Sequence, residues 1–200
     1  MLKTRRRYVE TVEANGEVCE FHVNPADYSA PMLDKLWELY EESLSINESV
    51  QAQVCYTRDT FMAALCDPDY HNIVMLVDGE PMGLTMATDD VDKMRDAYIN
   101  PEFMRARFPE ETERHDILYV TCSFLSPRLR NLGLIQLFVD VCVRPLAEDG
   151  YHVAFDVCEG REFMVEFFTK ALDRAGYPVE TELLGRQQYY ICKPLNAGRG

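Results

Sequence analysis

Ile117-Leu118-Tyr119-Val120-Thr121-Cys122-Ser123-Phe124-Leu125 is followed directly by Ser126-Pro127-Arg128-Leu129-Arg130-Asn131-Leu132-Gly133-Leu134-Ile135. The first nine residues are rich in β-branched, aromatic and aliphatic side chains and predict a buried strand. Pro127 ends it, because a proline cannot supply the ladder hydrogen bond. Beyond Gly133, the residues Leu134, Leu137, Phe138, Val141 and Cys142 recur at helical spacing. Gly150 marks the stop, and Pro145 is expected to kink the last turn. Val153 to Val157 predicts another buried strand. Strand, helix and strand in this order form a crossover unit, whose first turn delivers the unpaired N–H groups of a helix start. Such a turn is suited to an anion such as a phosphate, provided its side chains are small, as at Gly133.

Working outward, Tyr8 to Ala14 and Val18 to Val23 predict two strands around Asn15-Gly16, a pair that accepts the positive φ angles of a tight hairpin. Cys19, Phe21 and Val23 would share one face of the second strand. Pro31 opens a helix on which Leu33, Leu36, Trp37, Tyr40 and Leu44 form an apolar stripe, read as core. A shorter helix after Thr57 carries Phe61, Met62, Leu65 and Cys66 and stops before Asp67-Pro68. Asn72 to Val77, Asp78-Gly79 and Pro81 to Ala87 predict strand, turn and strand. Asn100-Pro101-Glu102 starts a helix inside the polar stretch that precedes Ile117. Met164, Phe167, Phe168, Ala171, Leu172 and Ala175 form a last helical stripe closed by Gly176, and Gln188 to Cys192 predicts a closing strand. Antiparallel strands followed by a crossover unit imply a mixed sheet covered by helices.

The 200 residues carry 34 acidic and 20 basic side chains, a net charge of −14. That balance disfavours non-specific binding to nucleic acid, while leaving room for a local basic site. No apolar run reaches the length of a membrane span, and MLKTRRRY lacks the apolar core of a secretion signal, so a cytoplasmic protein away from membranes is expected. The seven cysteines are odd in number, lack C-x-x-C spacing and lie mostly in apolar runs, which reads as reduced core thiols. Four scattered histidines give no support to a metal site.

A strand, then V-x-P, then R-x-x-G-x-G/A and a helix is the coenzyme A signature of the GCN5-related N-acetyltransferases (GNATs), and the chain resembles that family. Leu125 takes the place of the usual Val, while Pro127, Arg130 and Gly133 match. Asp78-Gly79-Glu80-Pro81-Met82-Gly83 is similar to the family's D-G-x-x-V-G hairpin, Ala175-Gly176-Tyr177 to its G-F helix end, and Gln188-Tyr189-Tyr190 to its closing strand. The likeness runs over about residues 18 to 195, through element order more than identity. It implies an α/β (α+β) fold, a mixed central sheet flanked by helices with a splayed central strand pair, here Ile117–Leu125 and Val153–Val157. It also implies a single domain over residues 1–200, with an N-terminal arm and hairpin at 1–16, an inserted segment at 88–116 and a loose tail at 196–200.

The resemblance further implies acetyl-coenzyme A or another acyl-coenzyme A as co-substrate, and no metal. Leu125 and the turn residues Arg128, Arg130, Asn131, Leu132, Gly133, Leu134 and Ile135 would hold it, the Leu125 backbone on the pantetheine arm and the turn on the pyrophosphate. The thioester carbonyl would face an N–H near Ser123 or Phe124. Two positions depart from the pattern: Ile135 stands where the family has Gly or Ala, and Leu172 where many members carry the tyrosine that protonates the departing thiolate.

An amine acceptor needs a group to take its proton. The strand from Ile117 has no carboxylate, which leaves Asp156 on the next strand, or His115 and Asp116 at the strand's start, to act through water. Cys122 has no identifiable histidine partner and reads as a core thiol. Asp89, Asp90, Asp92, Glu110, Glu111 and Glu113 lie among Tyr98, Phe103, Met104 and Phe108, and Glu38, Glu41 and Glu42 lie on the first helix. Acids beside aromatics fit a cationic amine as small-molecule acceptor, or a solvated lid. The basic start, Lys3 with Arg5, Arg6 and Arg7, fits a solvated arm or a dock for an acidic acyl carrier protein. Three functions are therefore open: acyl-coenzyme A-dependent N-acyl transfer, a degenerate scaffold used for binding or assembly, and N-acyl transfer from a carrier protein. Monomer and homodimer are both compatible with the chain.

Overall fold

Asn15 and Gly16 take positive φ angles of 55° and 87° and turn β1 (Tyr8–Ala14) back onto β2 (Glu17–Val23), as the hairpin signal requires. The computed structural model describes residues 6–45, 56–94, 99–157 and 162–186, with backbone alone at 44, 45 and 130–132. The expected strand Gln188–Cys192, the tail Asn196–Gly200, the basic residues Lys3 and Arg5, Tyr98, and Cys55, Cys158 and Cys192 lie outside the described residues.

Helix α1 spans Ala30–Ser45 and α2 spans Arg58–Cys66. The second is fixed at its start by a reciprocal cap, in which Thr60 N–H donates to Thr57 Oγ1 at 3.3 Å and Thr57 N–H donates to Thr60 Oγ1 at 2.9 Å. Strands β3 (Tyr70–Val77) and β4 (Glu80–Thr88) follow around Asp78-Gly79. The inserted segment holds two short helices, α3 (Pro101–Arg107) and α4 (Pro109–Glu113), where one was expected; Pro109 restarts the helix after Phe108 leaves helical geometry at φ −133°. Strand β5 is Ile117–Leu125, as expected, and leads through a 3-10 helix (Pro127–Leu132) into α5 (Leu134–Glu148), which continues past Pro145. Strand β6 is His152–Ala154 and α6 is Phe163–Arg174.

The six strands lie in sequence order, each antiparallel to its neighbour except for the parallel pair β5–β6. Cys19, Phe21 and Val23 face the same side, as alternation predicts, and pack with Met75 under Leu134, Phe138 and Cys142 of α5 and Leu172 of α6. On the opposite face, Leu36 and Tyr40 of α1 and Phe61 and Leu65 of α2 cover Val74, Leu84, Met86 and Phe124. Burying each such side chain contributes about 1.5–3 kcal/mol before entropy is counted. The insertion adds Val91, Met94 and Met104, which seal Ile117 and Tyr119 on this second face. No helix among the described residues is long and apolar enough to cross a membrane.

One expectation is corrected. Val153 to Val157 does not form a full strand: pairing covers Ile117–His152, Leu118–Val153 and Tyr119–Ala154 and then stops. Where the chain leaves the sheet, Phe155 packs against Phe168 of α6, with ring centroids 5.0 Å apart.

Candidate active site

Among the described residues, the end of β6 leaves β5 open on one side from Thr121 onward. The ladder on the other side shows which groups face the opening. Ser126 N–H donates to Met82 O at 2.7 Å, and Leu84 lies opposite Phe124. In an antiparallel pair, hydrogen-bonded and non-bonded positions alternate. The amides of Phe124 and Ser126 therefore point at β4, and those of Ser123 and Leu125 point into the gap. A register shift between Met86 and Ala87 leaves Thr121 as the extra residue on β5, and this bulge sets the phase that aims Ser123 and Leu125 outward.

Below the gap, Gly83 allows the close approach of β4 to α5. A Cβ there would come within 2.8 Å of Leu125 Cδ1, 3.1 Å of Phe138 Cε2 and 3.3 Å of Phe124 O. Past Leu125, Ser126 caps the 3-10 helix and is fully buried. Gly133 has φ 66° and ψ 15°, a left-handed conformation at the N-cap of α5, which glycine adopts without strain. Asn15 of the first hairpin abuts it, with Nδ2 3.4 Å from where a Cβ would stand. The first N–H groups of α5 thus open beside a residue without a side chain. Leu134 is buried beneath them, while the Ile135 side chain points outward and is 45% exposed.

The basic residues of the turn divide. The side chains of Arg130, Asn131 and Leu132 lie outside the described residues. Arg128 lines a cleft of about 400 Å³ with Glu17, Asp78, Glu80, Val77, Met82 and Leu129. Its positive charge therefore faces carboxylates of the two neighbouring hairpin turns.

Asp156 is exposed beside the gap and accepts a hydrogen bond from the Tyr119 hydroxyl at 2.5 Å. Tyr119 is fully buried, and burial, followed by the charge of Asp156, pushes its hydroxyl well above the usual tyrosine range. It therefore stays protonated and donates to the carboxylate. Because Tyr119 pairs with Ala154, Asp156 two residues on stands near the height of Thr121 to Ser123. Tyr56 closes the same side. Its hydroxyl is buried near Thr121, Tyr70 and Cys122, and burial raises its proton affinity. Cys122 is half-buried, more open than the core thiol expected of it.

The alternatives to Asp156 lie elsewhere. Asp116 pairs with Arg114 Nε at 2.7 Å, and His115 Nδ1 donates to the Asp89 carbonyl at 3.1 Å, both at the far end of β5. Some of the insertion's acids are paired within it. Arg105 holds Asp92 and Glu102, Arg114 holds Glu110, and Lys93 ties the segment to Asp67 and Asp69. Asp89 is buried with its carboxylate 3.8 Å from His71. Leu172 is buried in the core against α5. The Tyr119–Asp156 bond and the bulge at Thr121 have no signature in hydrophobic period; the one trace is the polar run Thr121-Cys122-Ser123 inside an otherwise apolar strand.

A scan against protein-family models finds no match, and no curated protein matches the sequence. Solved structures do match. An aminoglycoside acetyltransferase from an uncultured soil metagenomic sample, in complex with sisomicin, superimposes with a TM-score of 0.50 at 11% identity, over 88% of this chain and 97% of that one. An uncharacterized protein from Bacillus halodurans gives a TM-score of 0.53 at 13% identity, over 84% of this chain and 80% of that one. The chain has the GNAT fold. The strand pair expected to splay is β5 and β6, which separate after Tyr119 and Ala154.

Proposed function

We propose that the chain is a divergent GNAT enzyme that moves an acetyl or short acyl group from acyl-coenzyme A to a primary amine by direct attack. The observation that carries this reading is the end of β5–β6 pairing at Tyr119–Ala154, directly ahead of a turn that opens onto the α5 N-terminus at Gly133. The gap accepts a linear pantetheine arm along the outward N–H and C=O of Leu125. The first turn of α5, with Gly133 beside it, offers N–H groups to the pyrophosphate. Ile135 is compatible with this, since its side chain projects to solvent.

The Ser123 amide is the donor best aimed at the thioester carbonyl; the Phe124 amide is engaged toward β4. A fixed amide there stabilises charge that develops on the carbonyl oxygen as the amine attacks. Asp156 receives the ammonium proton, directly or through one water, and the buried Tyr119 hydroxyl keeps its carboxylate in place. Asp156, beside the gap itself, is the carboxylate placed to select a cationic acceptor. Holding amine and thioester in one gap supplies much of the rate.

A thiol-release assay with acetyl-coenzyme A and a panel of polyamines, aminoglycosides, amino acids and anionic amines tests the reading. Turnover with primary amines is expected. Coenzyme A binding without turnover on any amine points to the degenerate scaffold, and turnover only with acyl carrier protein points to the carrier-dependent enzyme.

A further inference from the structure

Three polar side chains meet on the α5 side of the sheet, in otherwise apolar surroundings. Thr85 Oγ1 lies 3.0 Å from Ser123 Oγ and 3.4 Å from Cys142 Sγ. Thr85 and Cys142 are buried, at 6% and 3% exposure, whereas Ser123 is exposed in mid-strand because β6 has already left β5. The direction of this chain follows from hydrogen-bonding capacity. Either oxygen can donate in the Thr85–Ser123 contact; since a thiol sulfur is the weaker acceptor, the favoured arrangement has Thr85 donating to Ser123 Oγ. The Cys142 thiol, pushed up to about 12 by burial against the lowering contact of Thr85, stays protonated and is able to donate to Thr85 Oγ1 in that arrangement. Ser123 then accepts from Thr85 and has its own O–H free to point into the gap.

Leu172 gives that gap no hydroxyl, since it is packed in the apolar core with Phe138 and Leu134. A thiolate released between β5 and residues 155–157 needs a donor, because an unpaired anion among apolar groups is costly. We infer that the Ser123 hydroxyl donates the hydrogen bond that stabilises the sulfur of the departing thiolate, an inference that rests on acyl transfer in this gap. As the amine nitrogen forms the C–N bond, the C–S bond breaks and its electron pair stays on sulfur, held by the Ser123 O–H. The ammonium proton leaves through Asp156 to solvent, and the thiolate takes up a proton from solvent on release. Thr85 is a positioning residue that orients the Ser123 hydroxyl. Asp156 and Tyr119 lie across the sheet from this chain, so amine and thiolate are served from opposite faces.

Coenzyme A itself is the probe. The thiol of bound coenzyme A is titrated by thiolate ultraviolet absorbance, as the difference between loaded and free protein, in wild type, Ser123→Ala, Ser123→Thr and Thr85→Val. Loss of one hydrogen bond to an anion is expected to move the Ser123→Ala titration upward by about one to two pH units. Ser123→Thr should stay near wild type, Thr85→Val should shift less in the same direction, and affinity for coenzyme A measured below the pH at which its thiol titrates should hold in all four. A Ser123→Ala protein that binds coenzyme A and titrates as wild type overturns the inference and leaves acyl transfer standing. Failure of the wild type to bind coenzyme A overturns that reading and the inference with it.

Discussion

The Tyr119 hydroxyl donates to Asp156 Oδ1 at 2.5 Å, joining the last paired residue of β5 to an acid just past the point where β6 departs. The bond spans the mouth of the gap. It makes the buried tyrosine a fixed strut for an exposed carboxylate.

Asp156→Asn should therefore lower kcat/KM for the amine by about 100-fold or more, with unchanged affinity for acetyl-coenzyme A. Tyr119→Phe should cost roughly tenfold, and the double variant no more than Asp156→Asn alone, because both act through one carboxylate. Additive losses in steady-state kinetics would assign Tyr119 a separate role.

Gly83→Ala places a methyl group 2.8 Å from Leu125 Cδ1 and 3.1 Å from Phe138 Cε2, so β4, β5 or α5 must shift. Overpacking of this kind costs about 1–3 kcal/mol. Thermal unfolding should show a lowered Tm. Calorimetry should show weaker binding of coenzyme A, because the displaced residue is the one whose backbone lines the gap.

How much of this was legible in the sequence depended on the kind of residue that carried it. Asn15-Gly16, Thr57, Asn100-Pro101 and the stripe on α5 act through local backbone chemistry, and each stands where its spacing predicts. The splay of β5 from β6 was implied by the resemblance, but the residue at which β6 ends was not legible. Val153 to Val157 has the composition of a strand, but the Phe155–Phe168 contact where the chain leaves the sheet is tertiary and lies outside the reach of propensity. The bulge at Thr121 and the chain Ser123–Thr85–Cys142 likewise depend on which strands and helices become neighbours. The acids of 89–116 read as a rim; Arg105 and Arg114 pair with Asp92, Glu102, Glu110 and Asp116 of that segment, while Lys93 pairs with Asp67 and Asp69 outside it.

The turn separates two glycine-like requirements. Gly133→Ala forces a side chain into φ 66° and should cost about 1 kcal/mol or more in stability while weakening coenzyme A binding. Ile135→Ala removes an outward side chain, so binding should change by less than about threefold. A tenfold gain in affinity with Ile135→Ala would mean that the isoleucine obstructs the phosphate.

Thiol labelling of the native protein should rank the cysteines by burial. Cys66 is exposed and should react within the ordinary time of a surface thiol. Cys142, pushed up to about 12 by burial, holds a negligible thiolate fraction at pH 8 and should react only after unfolding. Peptide mapping by mass spectrometry after timed alkylation reads both, and early modification of Cys142 would contradict its place beneath Thr85.

The most direct measurement is a crystal structure of the protein with acetyl-coenzyme A. The expected result is a pantetheine arm between β5 and residues 155–157, hydrogen-bonded to the Leu125 backbone, with the thioester oxygen on the Ser123 amide and the pyrophosphate at the α5 N-terminus. A ligand seated outside that gap, or no ligand bound at millimolar acetyl-coenzyme A, would contradict it.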